Sequence, residues 1–594
     1  MSDFIYTSIN QSIGRLSKLL CSIHEEEKNV TEFHGDWGSL AVIKNHYYGY
    51  EWIEDQRFIF IVISGPQVKK VDKSLVPKTE TTYSEYILDK WKSQKGIEWS
   101  NDISGPFAIF CVNKIEKKIE MVTDLMSFIP IYSCLSHSSI IFGTHPDVVA
   151  KISNEDMELN QVSVVDLFVN KTVTFPYTLY KNVYQLNPSS VYVYNIGKNK
   201  LSNNHYWLPY EKNRFKNIED ASQKLREDLL RNVRSLTLHK KTIGVLMSGG
   251  EDSRVILSTI PSQKQIKCYT FVDYENVESK IAKKVSNIFK AQHFIGYRSL
   301  SHYLEQFESC SKLVGTEHNF EHVHSFGFYK KLGIRDNEII LGGLFADAFL
   351  KGRRISSLKE FKLLKVKYKY SEILKDNNAN LITYQDPNVN SDLLIKVKKR
   401  RDEHFNRISS FRENSAAEWC KLWPASMNHN FTNYFGNRRL FVSYEPMLES
   451  DIVKLMSSVP QEWKVDRRLF HASMKPLLKN TKYISHSNGH YPYFGLKVNY
   501  LPTLITKIKR KFLQSLRPDR NNDGPWPLWG KVVKTELMNS IVDNYKKEYK
   551  CLEAALGHST LKDIINQEYI EPAQKLIVIQ MLANISYWSN NNMK

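Results

Sequence analysis

The chain predicts a two-part protein of mixed α/β and α+β class: a sheet-dominated N-terminal portion over residues 1–205, then a parallel-sheet portion with a helical C-terminal part over residues 206–594. Three observations carry this. Up to about residue 205 the apolar residues come in short runs of strand length, separated by turn residues. Beyond residue 206, strand-like runs alternate with helix-like apolar spacing, which is the order of a parallel sheet crossed by helices. At one junction in the second portion, residues 242–254, an apolar run leads into Ser-Gly-Gly-Glu-Asp-Ser. A chain of 594 residues also exceeds one ordinary domain.

In the N-terminal portion, residues 39–43, 58–63, 107–112 and 139–142 are short apolar strands. Residues 191–194 alternate Val-Tyr-Val-Tyr after the turn signal Asn187-Pro188. Many short strands and few helices imply layered sheets.

In the C-terminal portion, Leu225, Leu229, Leu230 and Val233 fall on one face of a helix over 220–235. Thr242 to Met247 is a buried strand, and residues 253–260 a helix. Residues 266–272 form a second parallel strand and 292–296 a third. Between them lies a helix over 277–289, with Ile281, Val285 and Ile288 inward. Residues 339–341 are strand-like and run into Gly342, Gly343 and then Asp347. Residues 410–460 read as helical, residues 485–495 as a loop, 507–516 as a basic amphipathic helix and 519–529 as an exposed loop. Helices around 533–547 and 571–590 finish the chain.

The junction at 242–254 carries the chemistry. Gly249 and Gly250 let the backbone turn sharply with no side chain over the turn. The N–H groups that open the following helix then face outward, where an anion is favoured. Ser248 and Ser253 add hydroxyl donors, and Asp252 offers a hard oxygen ligand for a magnesium ion carried by phosphates. The Gly-Lys-Ser/Thr ending of a P-loop is missing. Asp347 is a second carboxylate beyond a strand end, and read locally it caps the helix that follows it. Asp273 and Glu278 read by default as loop and helix-start acids.

Composition excludes several classes. No stretch approaches the roughly 18–20 apolar residues of a membrane span, and residues 1–25 lack the compact apolar block of a secretory signal. The seven cysteines are far apart with no C-x-x-C pair, which argues against a disulfide framework or zinc site and suits a reducing cytoplasm. The net charge of +19 is concentrated at 358–370, 396–407 and 507–520. These stretches are read either as solvated helix faces or as attraction to an anionic partner.

The 248–253 segment resembles the pyrophosphate loop of the ATP pyrophosphatases, the asparagine synthetase family in particular. Gly342-Gly343-Leu344-Phe345-Ala346-Asp347 is similar to that family's Gly-Glu-Gly-Ala-Asp-Glu segment, and residues 442–464 to its Glu-Val-Arg-Val-Pro-Phe-Leu-Asp stretch through Pro446, Leu448, Glu449, Pro460 and Lys464. Residues 105–109, Asp124 and Pro130-Ile131-Tyr132 resemble its glutaminase domain, a sandwich of two antiparallel sheets flanked by helices. The resemblance implies ATP and Mg2+ as cofactors. It places Ser248, Gly249, Gly250, Asp252, Ser253, Gly343 and the backbones of Phe271 and Val272 at ATP, with Asp252 and Asp347 at the metal. A cation beside the leaving pyrophosphate is also required; Lys464, Arg467, Arg468 and Lys475 are the candidates.

Departures from the family pattern matter as much. Its first Glu, which helps position or deprotonate the acceptor amine, is Leu344 here, and its last acid is Ala348. Its Glu and Arg before the conserved-type Pro are Val442 and Tyr444. Position 2 is Ser2 rather than the glutaminase cysteine, and no cysteine precedes Cys21. The expected reaction is therefore ATP-dependent amide formation through a carboxyl-adenylate. The nucleophile would be ammonia or a substrate amine rather than glutamine, and the acid a small-molecule, peptide or sugar carboxylate, as in the β-lactam synthetases and lasso-peptide cyclases of the same group. Glutamine-hydrolysing asparagine synthesis, modification of a nucleic acid and an inactive scaffold are the alternatives.

Overall fold

Short apolar strands with turn residues between them assemble into two six-stranded sheets in the N-terminal portion of the computed structural model, which describes residues 2–69, 82–136, 139–153, 157–352, 355–363, 366–373, 386–516 and 524–590. One sheet runs, in spatial order, Val183–Gln185, Tyr132–Leu135, Ile140–Gly143, Phe4–Thr7, Gly38–Ile43, Val30–Gly35. The other runs Lys200–His205, Ser190–Asn195, Lys118–Thr123, Ala108–Asn113, Phe58–Ile63, Ile53–Glu54. Every pairing is antiparallel. Phe4 and Tyr6 of the first sheet meet Phe110 of the second, with ring centroids 4.6 and 5.3 Å apart. The two inner faces thus form one core, and the arrangement is the expected sandwich. The helices Arg15–Ser22 and Tyr83–Lys92 flank it.

The second portion holds a five-stranded sheet in the order Gln292–Tyr297, Gln265–Val272, Thr242–Leu246, Ile339–Leu341, Ser443–Tyr444, all parallel. Thr242–Leu246 is central, with Ile243 and Val245 fully buried. The next strand in sequence lies on one side of it and the later one on the other. This is a topological switch point, where a crevice opens at the carboxyl ends of the strands. Helix Ile218–Thr237 buries Leu225, Leu229 and Val233, but Leu230, expected on the same face, is 37% exposed. Helix Val277–Ile288 buries Ile281 and Val285, but terminal Ile288 is 42% exposed. Both misplaced residues sit at the edge of the apolar stripe, where packing rather than spacing decides.

The basic stretches are not uniformly helix faces. The described residues of the 358–370 stretch fall in an antiparallel ribbon of Ser356–Leu363 and Val366–Ile373. In helix Ser391–Ser409, Arg401 turns inward to Asp166 at 2.7 Å, and Arg400 and Arg407 lie over the Tyr177 and Phe175 rings. The third stretch belongs to helix Leu496–Leu516, which starts well before the expected 507. Residues 517–520 of that stretch and 519–523 of the expected loop lie outside the described residues. Among the described residues no helix is long and apolar enough to cross a membrane. All seven cysteines are free.

The sandwich and the parallel sheet share one hydrophobic core. Polar contacts join them as well. The Tyr47 hydroxyl donates to the Ser443 carbonyl at 2.9 Å and Tyr444 to the Gly65 carbonyl at 2.8 Å. Asp3 lies wholly buried between Arg438 and Arg439.

Candidate active site

The central strand ends at Leu246, and the helix Glu251–Thr259 begins with Gly250 as its N-cap. A Cβ on Gly249 would stand 2.9 Å from Glu278 Oε2 and 3.2 Å from Ile281 Cγ2. Glycine is therefore required for the loop to lie against helix Val277–Ile288. The Gly249 N–H donates to Glu278 Oε1 at 2.6 Å, and the Gly250 N–H to Ser248 Oγ at 3.1 Å. Ser248 N–H donates to Ser253 Oγ at 3.2 Å, while the Ser253 hydroxyl donates to the Ser248 carbonyl at 3.1 Å. The expected outward-facing donors have partners within the protein: Ser248, Gly250 and Ser253 bond to one another and Gly249 to Glu278. Glu278 is correspondingly no ordinary helix-start acid; it is buried and holds the loop. Arg254, also buried, donates to the carbonyls of Gly249, Ile484 and Ser485 at 2.7–2.8 Å and fastens the loop from behind.

The second loop leaves strand Ile339–Leu341 and passes close to the first. A Cβ on Gly343 would lie 3.0 Å from Asp252 Cβ, so glycine permits the approach. Phe345 turns the chain with φ 67°, and helix Ala346–Leu350 starts immediately after it. Asp347 is thus inside the helix rather than its cap. Its carboxylate meets Lys351, whose Nζ lies 2.5 Å from Asp347 Oδ1, 2.6 Å from Asp252 Oδ1 and 2.7 Å from Glu251 Oε1. Lys351 is buried and rests over the Phe470 ring. Arg467 pairs with Glu251 as well, and His490 Nε2 stands 3.8 Å from the same carboxylate.

These residues fit a magnesium ion brought by a polyphosphate. Oxygens of Asp252 and Asp347 already converge on one positive nitrogen, an ammonium standing where a hard cation would be held. Among the described residues no group of three or more His, Cys, Asp or Glu could hold a metal ion by itself. Two carboxylates completed by phosphate oxygens and water are the usual magnesium arrangement.

The candidate cations separate clearly. Lys464 is fully buried and gives its ammonium to both Glu418 oxygens at 2.9 Å, away from the loop. Burial lowers its ammonium below the usual lysine range, and Glu418 offsets only part of that. Arg468 and Lys475 are exposed, with Lys475 5.3 Å over the Tyr493 ring. Only Arg467 of the four reaches the acidic cluster. Lys351 was on none of the candidate stretches; its one sequence signal is the four-residue step from Asp347, which puts both on one helix face.

At the end of the second strand the Phe271 ring stacks on Phe328 at 5.0 Å. The Val272 carbonyl accepts from the Arg298 N–H at 2.9 Å. Leu344 is half-buried, and its N–H donates to Glu445 Oε2 at 2.8 Å. Glu445, which sequence reasoning did not single out, is buried, and burial pushes its carboxyl up to about 8. Ser2 is buried in the sandwich, where its hydroxyl oxygen accepts from the Ser64 N–H at 3.1 Å. From Ser64 a chain of buried rings, Tyr434, Phe128 and Phe345, leads to the neighbour of Leu344.

Two family models match the sequence in this order: a glutamine amidotransferase domain over residues 72–207 and asparagine synthase over residues 224–484. A provisionally named glutamine-hydrolyzing asparagine synthetase 2 of Methanocaldococcus jannaschii is 23% identical over 253 residues, 40% of this chain and 48% of that protein. The chain thus spans about half the length of the curated relative it matches. Two solved structures overlap loosely. The allosteric regulatory enzyme of purine biosynthesis is 6% identical with a TM-score of 0.26, over 50% of this chain and 80% of that one. Glutamine phosphoribosylpyrophosphate amidotransferase from B. subtilis, complexed with ADP and GMP, is 7% identical with a TM-score of 0.25, over 51% and 83%. Likeness at that level carries no argument about the site. The two domain models and the synthetase relative agree with one another, and the chain belongs to the asparagine synthetase family.

Proposed function

We propose that this chain joins a carboxylate to an amine through a carboxyl-adenylate, splitting ATP to AMP and pyrophosphate. The family match supports an ATP-dependent, amidotransferase-like ligase. The observation that carries the finer reading is the convergence of Asp252 and Asp347 on one cationic point beside the Ser248–Ser253 loop. In this reading Asp252 and Asp347 hold magnesium, which when bound offsets phosphate charge. Ser248, Gly249, Gly250 and Ser253 turn their loop bonds to phosphate oxygens. Gly343 and the backbones of Phe271 and Val272 line the nucleotide. Arg467 lies close enough to steady the charge that builds on the leaving group.

The amine is ammonia or an amine of the substrate. Ser2 stands where the family's glutaminase has cysteine, and a hydroxyl is a far weaker nucleophile without a tuned base. The packed rings between Ser64 and Phe345 support an amine that enters from solvent. The sandwich of residues 1–205 then serves as scaffold for a synthetase in residues 206–594, working in the cytoplasm. Leu344 makes one wall of the acceptor pocket apolar. A larger, partly apolar acid, including a peptide or sugar acid, fits it better than aspartate.

Magnesium-dependent exchange of labelled pyrophosphate into ATP, screened over a panel of carboxylates, tests this. Exchange should appear only with the matching acid. Absence of exchange across small, peptide and sugar acids would remove the adenylation reading. Robust asparagine formation from aspartate and ammonia would remove the altered acceptor.

A further inference from the structure

A third loop reaches the phosphate cradle. Arg254 donates to the Gly249 carbonyl of the first loop and also to the carbonyls of Ile484 and Ser485, so one buried guanidinium ties residues 484–490 to the Ser248–Ser253 turn. That segment closes on itself. The His486 N–H donates to the His490 carbonyl at 2.6 Å and the Gly489 N–H to the His486 carbonyl at 2.9 Å. Gly489 makes the turn possible, with φ 90° and a Cβ that would overlap Thr506 Oγ1. The fold thereby brings the His486 ring over the first loop, where a Cβ on Gly250 would lie 3.9 Å from its Nε2.

The backbone fixes the proton on each of the two rings, because a backbone N–H can only donate. The Asn488 N–H meets His486 Nδ1 at 3.3 Å, so Nδ1 accepts and the proton of the neutral ring stands on Nε2. The His490 N–H donates to Asn488 Oδ1 at 3.2 Å, and His490 Nδ1 reaches the same oxygen at 2.7 Å. His490 therefore carries its proton on Nδ1 and keeps a lone pair on Nε2, which accepts from Arg467 at 3.3 Å. The rings, with centroids 5.1 Å apart, are opposite tautomers: His490 holds a cation and His486 offers a donor. Among the described residues that Nε2–H makes no hydrogen bond. Burial first, then His490 and the charges of Arg254, Arg467 and Lys351, push His486 down to about 3, so its ring is neutral at neutral pH.

We propose that His486 is a phosphate-binding residue of the nucleotide site, its Nε2–H donating to an oxygen of the phosphate chain that lies against Gly249 and Gly250. A neutral ring adds a hydrogen bond to a charged acceptor without adding charge to a site that already holds Lys351 and Arg467. His486's role rests on the nucleotide reading of the Ser248–Ser253 loop.

The test uses the full chain and inorganic pyrophosphate with saturating Mg2+, binding being followed by calorimetry. His486→Phe keeps a ring and loses both nitrogens. His486→Gln also loses Nδ1, and with it the bond from Asn488, but carries an amide N–H about where the Nε2–H stands. Comparing the two variants isolates the donor from the turn. Pyrophosphate should bind about tenfold more weakly to His486→Phe, the size of one hydrogen bond to a charged group, and His486→Gln should recover most of that loss. Equal affinity in the wild type and His486→Phe overturns the proposal. An equal loss in both variants overturns it as well, because His486 would then serve only its own turn. Failure of both variants to fold does the same. Wild-type protein that binds no pyrophosphate removes the nucleotide reading of the loop and this assignment together, whereas binding that His486→Phe leaves intact removes this assignment alone. A loss in His486→Phe, restored in His486→Gln, without carboxylate-dependent exchange would cost the adenylation reaction and leave His486's role standing.

Discussion

At the scale of single residues, two acids in one site obey opposite rules. Asp252 is partly exposed and faces a cation; Glu445 is buried and faces a backbone N–H. Asp252→Asn keeps the shape and loses the charge, so exchange should fall roughly a hundredfold or more with the chain still folded; full exchange in that variant would sink the metal assignment. Glu445 is a matter of stability. Its carboxyl is raised from 4.5 to about 8 by burial. Between those values the unfolded chain releases the proton and the folded chain keeps it. Stability should therefore fall as pH rises from 4.5 towards 8, then level off. Glu445→Gln still accepts from Leu344 and has no proton to lose. It should match the wild type near pH 4 and exceed it at pH 8, by up to about 1.4 kcal/mol for each pH unit crossed. Urea midpoints at the two pH values measure this, and parallel profiles would show that Glu445 titrates normally.

At the scale of elements, the site is two strand-to-helix loops pressed together, and consecutive glycines serve opposite sides of the second. Gly343 admits Asp252, while a Cβ on Gly342 would meet Glu445 Oε1 at 2.1 Å. Gly342→Ala should thus destabilise by about 1–3 kcal/mol, the cost of overpacking. Shortening the partner in Gly342→Ala/Glu445→Ala should recover much of that loss, and additive single effects in the denaturant cycle would mean the clash is relieved elsewhere. The first loop was legible in the sequence because turn chemistry is local: Ser-Gly-Gly between an apolar strand and a helix has few other uses. The central strand and both neighbours were legible for the same reason. Lys351 and Glu445 were not, since each acts on residues of another element and neither stands in an unusual local pattern. Lys464 shows the limit from the other side: its position resembles the family's, yet its ammonium turns away to Glu418.

At the scale of the molecule, one buried carboxylate adds a charged joint between the sandwich and the parallel sheet, which already share a hydrophobic core. Asp3, near the start of the chain, sits fully buried 2.8–2.9 Å from the guanidinium groups of Arg438 and Arg439. Arg438 also donates to the Ser2 carbonyl, and Arg439 to that of Thr144. No periodicity links residues so far apart, and Arg438-Arg439 reads locally as a surface pair, so this joint was invisible in the sequence. Both arginines lie in the last turn of helix Phe431–Leu440, which leads into strand Ser443–Tyr444 and then Glu445. The sandwich therefore anchors the edge of the sheet that carries Glu445. Burial would raise the Asp3 carboxyl, but Arg438 and Arg439 outweigh it and hold it well below the usual range. Such a group contributes stability that is complete above its unfolded value of 3.8 and is lost only in strong acid. Asp3→Asn leaves two buried guanidinium groups without their counter-charge, which costs about 3–5 kcal/mol. The loss should be equal at pH 5 and pH 8, unlike that of Glu445, and should lower the unfolding transitions of both portions together, because they share one core. Urea unfolding followed by fluorescence at the two pH values would decide it. A loss under about 1 kcal/mol, or a sandwich that melts while the nucleotide half stays folded, would show that the two portions stand independently and that Asp3 is not what holds them.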